Sequence, residues 1–97
     1  MIKVALLVIV KAKPGKEDEV AELLSSALPL AQEEAGTVHW FALKINSSTF
    51  GVFDTFPDDA ARKAHLAGKI ATALMANTPT LLAGSPQIEF VDVLAAK

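Results

Sequence analysis

At 97 residues the chain has room for one domain and one core, so residues 1–97 are read as a single unit. Nine basic against eleven acidic residues leave a net charge of −2, and the densest charged stretch is only Lys16-Glu17-Asp18-Glu19, which offers no electrostatic footprint for nucleic acid or an anionic membrane. The lack of cysteine removes disulfides, thiolate metal sites and a Cys nucleophile, while a hydrophobic content of 52% is high for so small a domain and points to apolar surface buried by a partner.

Met1-Ile2-Lys3 followed by the apolar run 4–10 superficially matches the start of an export signal. The run is rich in β-branched residues, has no small-x-small cleavage site and is closed by Lys11 and Lys13, so it reads as a buried strand and the chain as cytoplasmic. No run approaches the roughly 18 apolar residues of a membrane-spanning helix. Residues 4–13 form this first strand, apolar on both faces because Leu6, Val8 and Val10 alternate with Leu7 and Ile9. Pro14-Gly15 breaks it. Lys16-Glu17-Asp18-Glu19 opens a helix with acids in the first turn, where the macrodipole favours them. Val20, Leu23, Leu24, Ala27, Leu28 and Ala31 make its apolar stripe, and Pro29 is expected to kink it or end its first part.

Glu34-Ala35-Gly36 ends that helix, and residues 37–45 read as a second strand, with Val38 and Trp40 on one face and His39, Phe41, Leu43 and Ile45 on the other. Asn46-Ser47-Ser48 is hairpin-turn chemistry leading into a third strand, 49–56. Pro57-Asp58-Asp59 supplies a stop and an N-cap for a second helix over 60–75. On a helical wheel Ala60, Ala64, Ala67, Gly68, Ala71 and Met75 fall together, which predicts a small-sided face against the sheet and leaves Leu66, Ile70 and Leu74 on another side. Residues 77–85 read as a loop with a short helical turn through Leu81 and Leu82, and 87–94 as a last strand that is again apolar on both faces.

The order strand, helix, strand, strand, helix, strand is that of the α+β ferredoxin-like arrangement, βαββαβ with a four-stranded antiparallel sheet. Two helices cover one face of such a sheet. The other face stays apolar in every strand, which predicts a homodimer joined through the sheet faces.

Two histidines with no His-x-x-His or His-x-x-x-His spacing make a metal site unfavourable, and the scattered glycines form no phosphate-binding cluster. Ser25-Ser26 and Ser47-Ser48 fit surface and turn roles better than nucleophilic ones. What remains is a group of aromatic and titratable residues on the second and third strands and the second helix: His39, Trp40, Phe53, Asp54, Phe56 and His65. Asp54 shares a strand face with Phe50, Val52 and Phe56, where a carboxylate is costly unless paired, and Arg62 and His65 are the nearest candidates to pair with it. His65 can handle a proton near neutrality, or sit as an imidazole bonded to backbone at the helix edge; Trp40 can be a cavity wall or a core residue. His39 points away from Trp40, and Phe53 away from Phe56, by strand alternation.

In its Val8-Ile9-Val10-Lys11-Ala12-Lys13-Pro14-Gly15-Lys16, Glu34-Ala35-Gly36, Phe50-Gly51-Val52-Phe53-Asp54-Thr55-Phe56 and Ala60-Ala61-Arg62-Lys63-Ala64-His65-Leu66 segments the chain resembles the antibiotic biosynthesis monooxygenase domain family, the small dimeric α+β barrels. The resemblance implies a dimer joined sheet to sheet, with a cavity in each subunit. It also implies cofactor-independent oxygenation of quinol-like or polyphenolic aromatic compounds, with positioning, desolvation and proton handling as the protein's share. His65 matches the family's helix-two histidine and would handle the proton, with Asp54 orienting or polarising; Trp40, Phe53, Phe56 and Arg62 are the candidates for substrate binding. Asp54 and Phe56 stand where the family commonly has glutamate and tryptophan, and the chain has no tyrosine. The first strand also lacks the asparagine typical of the haem-degrading branch, which disfavours that activity. The contrasting expectation is a non-catalytic small-molecule-binding or structural homodimer of the same fold.

Overall fold

The apolar N-terminal run becomes β1 (Val4–Lys11), the strand that most needs cover on both sides. In the computed structural model, which describes residues Met1–Lys97, it lies inside an antiparallel sheet of order β2-β3-β1-β4. The other strands are β2 (His39–Lys44), β3 (Thr49–Phe56) and β4 (Gln87–Asp92). Leu6, Val8 and Val10 are buried beneath the helices, whereas Leu7 and Ile9, on the opposite face, are only half-buried. This is the ferredoxin-like α+β arrangement expected from the sequence. No helix is long and apolar enough to cross a membrane.

The first helical stretch divides into α1 (Glu17–Ser26) and α2 (Leu28–Glu33) at Ala27. Pro29 stands in the first turn of α2, where its missing N–H costs nothing, so the expected interruption occurs there. Val20 and Leu24 of α1 pack on Val8, Val10, Phe50 and Val52 in the core. At the β2–β3 hairpin the Asn46 carboxamide oxygen accepts from the Ser48 and Thr49 amides at 3.0 and 2.9 Å, the local bonding that suits Asn to a turn.

The second helical stretch departs from the expectation. It comprises α3 (Asp59–Leu66), whose Asp58 N-cap accepts from the Ala61 amide at 2.8 Å, and α4 (Lys69–Leu81). Gly68 between them is extended, with φ −91° and ψ −173°, and this break resets the helical phase. A single wheel over 60–75 therefore fails. Ala60, Ala64 and Ala67 are exposed and Met75 is 57% exposed, while Ile70 is buried and Leu66 and Leu74 are half-buried on the inner side. The segment read as a loop from Asn77 onward is the continuation of α4 through Pro79. Proline is tolerated so close to the helix end because the next turn still closes: the Leu82 amide donates to Thr78 O at 3.0 Å, and Lys13 Nζ donates to the Pro79 carbonyl.

On the face away from the helices, Phe53 stacks on Phe41 with ring centroids 6.5 Å apart, beside Leu7, Ile9 and the exposed Leu43. The phase reset makes a quantitative contrast. Ile70→Ala is expected to destabilise the protein by about 2–5 kcal/mol and Met75→Ala by no more than about 0.5 kcal/mol, read from denaturant midpoints at constant slope.

Candidate functional site

Asp54 is the starting point of the site because it is 0% exposed on the helix-facing side of β3, in register with Leu6 of β1 and Trp40 of β2. A carboxylate in that position needs a counter-charge. The side chain that reaches it is His65, itself buried on α3, whose Nε2 lies 2.9 Å from Asp54 Oδ2. This approach lacks the in-line geometry of a hydrogen bond, and neither Asp54 oxygen has a well-aligned donor, so the contact is an ion pair. Phe56 backs the imidazole, with ring centroids 5.3 Å apart.

The other ring nitrogen is held by a residue that the sequence did not single out for chemistry. His65 Nδ1 lies 2.6 Å from Oε1 of Glu34, the C-cap of α2, and Thr37 Oγ1 donates to the same oxygen at 2.6 Å. Two glycines let this turn dock closely. A Cβ on Gly36 would stand 2.9 Å from the Ala61 Cβ, and one on Gly68 would stand 3.2 Å from Glu34 Oε2. Glu34 is 31 residues from His65 in the chain, and its only sequence signal was membership of the Glu34-Ala35-Gly36 turn.

Burial opposes a charge on the His65 imidazole, but the attraction of Asp54 and then of Glu34 outweighs it and raises the pKa from 6.5 to about 9. At neutral pH the cluster is an imidazolium between two carboxylates. Because the folded value is raised, the stabilisation is complete below the unfolded value and is lost as pH climbs through about 9.

Two cavities meet at this ring. One is a solvent-open groove of about 310 Å³ between the 34–37 turn, α3 and the start of α4, bordered by Leu30, Glu33, Glu34, Thr37, Ala61, Ala64 and Lys69. The other, of about 140 Å³, lies between the sheet and α3–α4 and is walled by Leu6, Val8, Val52, Leu66, Ile70, Ala71, Leu74, Met75, Pro86 and Ile88. His65 lines both and is the one polar residue in the wall of the second.

Of the residues expected at the site, His65 and Asp54 come together. Arg62 does not pair with Asp54: Nε and Nη2 donate to Asp59 Oδ1 at 3.1 and 2.8 Å, and Nη1 to the Ala5 and Val91 carbonyls at 3.2 and 3.3 Å. Its guanidinium lies 5.0 Å over Phe90, so it braces β1 and β4 and lines neither cavity. Phe53 is on the far side of the sheet with Phe41, and Phe56 lies beneath the imidazole instead of in a cavity wall. Trp40 packs against the core beside Asp54, and its buried Nε1 has no hydrogen-bond acceptor.

An NMR titration of the His65 ring is expected to give a midpoint near 9 in the intact protein. Gly36→Ala is expected to lower that midpoint, since the turn must move off Ala61 and carry Glu34 away from Nδ1; an unchanged midpoint would show that Glu34 does not hold the charge.

No protein-family model and no curated protein matches the chain. Among solved structures it is similar to NE2512, a protein of unknown function from Nitrosomonas europaea, with 61% identity over 100% of this chain and 94% of that one, at a TM-score of 0.98. PA3566 from Pseudomonas aeruginosa matches at 21% identity over 98% and 97% of the two chains, with a TM-score of 0.83. An antibiotic biosynthesis monooxygenase matches at 17% identity over 95% and 99%, with a TM-score of 0.81. The last two likenesses are of fold. The chain thus belongs to one family with NE2512, and its fold is that of the antibiotic biosynthesis monooxygenases, the ferredoxin-like α+β barrel.

Proposed function

We propose that this protein is a homodimeric, cofactor-independent monooxygenase that joins O2 to a quinol-like or phenolic aromatic compound held beside His65. The observation that carries this reading is an apolar cavity with a single polar residue, a buried histidine held between two carboxylates. An electron-rich phenol, once deprotonated in a dry site, supplies all the electrons itself: hydroquinone and O2 give hydroxyquinone and water, one oxygen atom entering the ring and the other leaving reduced. The protein then has to bind, desolvate and handle the proton.

The cavity narrows the substrate class. Its volume of about 140 Å³ is close to the roughly 150 Å³ that accommodates a benzene ring, which favours single-ring quinols over polycyclic ones. His65 is the proton-handling group in this reading and Asp54 its buried counter-charge. The dimer is supported by the apolar sheet face carrying Leu7, Ile9, Phe41, Leu43 and Phe53, which a second copy would cover. One observation favours the other reading, a binding dimer without turnover: both nitrogens of His65 already face carboxylates, an arrangement that also serves to hold α2 and α3 to the sheet.

Oxygen uptake with a graded series of hydroquinones separates the two. Single-ring quinols should be consumed, with rates rising toward pH 9 as the neutral imidazole is populated, and His65→Ala should lower the rate by on the order of a hundredfold. Uptake no faster than in His65→Ala would leave the binding reading. For assembly, light scattering should report a dimer, and Phe41→Lys, placing a charge on the exposed sheet face, should shift it to monomer; a wild-type monomer at all concentrations would end the dimer proposal.

A further inference from the structure

We propose that the compound held in the apolar cavity carries an alkyl substituent, which leaves the cavity between α4 and β4 and lies along the helix side of β4 as far as Phe90. The inference deepens the reading above by naming its substrate class, and rests on that reading's use of the apolar cavity as the ligand site. A single ring fills the cavity of about 140 Å³, so a substituent on that ring has to leave it. The wall shows where. Leu6, Val8, Val52, His65 and Ile70 form the buried depth, whereas Met75 on α4 and Ile88 on β4 are 57% and 41% exposed. The opening therefore lies between these two side chains, and both are apolar.

The same kind of surface continues beyond the opening. Ile88 and Phe90 stand opposite Val8 and Leu6 of β1, so both point to the helix side, while Gln87 and Glu89 point to the far face. The helices pack over β1, β2 and β3, which leaves Phe90 58% exposed on the outer strand. Arg62 stacks 5.0 Å over this ring and fixes it, with its Nε, Nη1 and Nη2 already committed to Asp59 and to the Ala5 and Val91 carbonyls. Asp92, the next residue on that face, disfavours an anionic end. The strip offers a substituent apolar contact and little else.

Its size selects the occupant. Met75, Ile88 and Phe90 are far short of the roughly 20–30 residues a side of a stable protein interface. They also lie on the helix side, away from the sheet face assigned to the dimer. Two residues of a strand, from Ile88 to Phe90, span about 6.8 Å, the reach of about five methylenes.

Isothermal titration at neutral pH with phenol and its 4-methyl to 4-pentyl derivatives, all uncharged there, measures the substituent's share. Wild-type affinity should rise about twofold per added methylene, half the free energy of full burial because one side of the chain stays wet. Phe90→Ser should bind phenol and 4-methylphenol as the wild type does and lose the gain beyond propyl. Met75→Ser, at an exposed helix position that keeps the test open should Phe90→Ser fold poorly, should flatten the series from ethyl onward. Phe41→Lys, on the far face, should keep the whole series. The carboxylate-tailed 3-(4-hydroxyphenyl)propanoate should bind more weakly than 4-propylphenol.

Affinity that does not rise with chain length, or rises as steeply in folded Phe90→Ser or Met75→Ser as in the wild type, would overturn the proposal. So would a series flattened by Phe41→Lys, tighter binding of the propanoate, or a wild-type protein that binds none of these compounds. Light scattering that finds Phe90→Ser converted from dimer to monomer would give the strip to a second copy and end the proposal too. Heat, not oxygen, is read in this experiment. A protein that gains affinity along the series yet consumes no O2 with quinols keeps the strip and loses the monooxygenase reading, and the reverse pattern keeps the reading and loses the strip.

Discussion

A single buried carboxylate organises this molecule. Asp54 is carried into the sheet–helix interior by the alternation of β3, with Val52 and Phe56 as its neighbours on the same face, and it has no exposed surface. A negative charge there is tolerable only with a counter-charge close by. His65 supplies it, and the imidazolium in turn holds Glu34 at the end of α2. Three separate elements are thereby tied through one ring, and the ring borders both an apolar cavity and a solvent-open groove.

The close fit of the elements around that ring depends on small residues in particular places. Gly36 meets Ala61 and Gly68 meets Glu34 because neither glycine carries a Cβ. Gly68 also breaks α3 from α4, and the resulting change of phase turns Ile70 and Leu74 inward. With an uninterrupted helix from Asp59 onward, the wheel would present alanines to the sheet, and the apolar cavity would have a different wall.

Much of this was legible in the chain. The two-sided apolar run 4–10, the turn at Asn46 and the acid-capped start at Asp58 were enough to order the strands and helices, since each is a local signal. The unpaired cost of Asp54 pointed to Arg62 or His65 as its partner, and the structure pairs it with His65. Three things were not legible, two of them because they depend on contacts far apart in sequence. Glu34 reaches His65 across 31 residues. The phase reset at one glycine cannot be told from a glycine within a continuous helix. Arg62 finds backbone carbonyls of β1 and β4 instead of a carboxylate, a choice that exists only once the strands are paired.

The lone tryptophan adds an optical property to the cluster. Trp40 stands directly across from Asp54 on the neighbouring strand, with its indole N–H enclosed and uncommitted. Indole emission responds to nearby charge and to its own hydrogen bonding, and no second tryptophan dilutes the signal. The chain therefore contains an intrinsic fluorophore beside its most deeply enclosed anion, able to report changes in that local field without any added label.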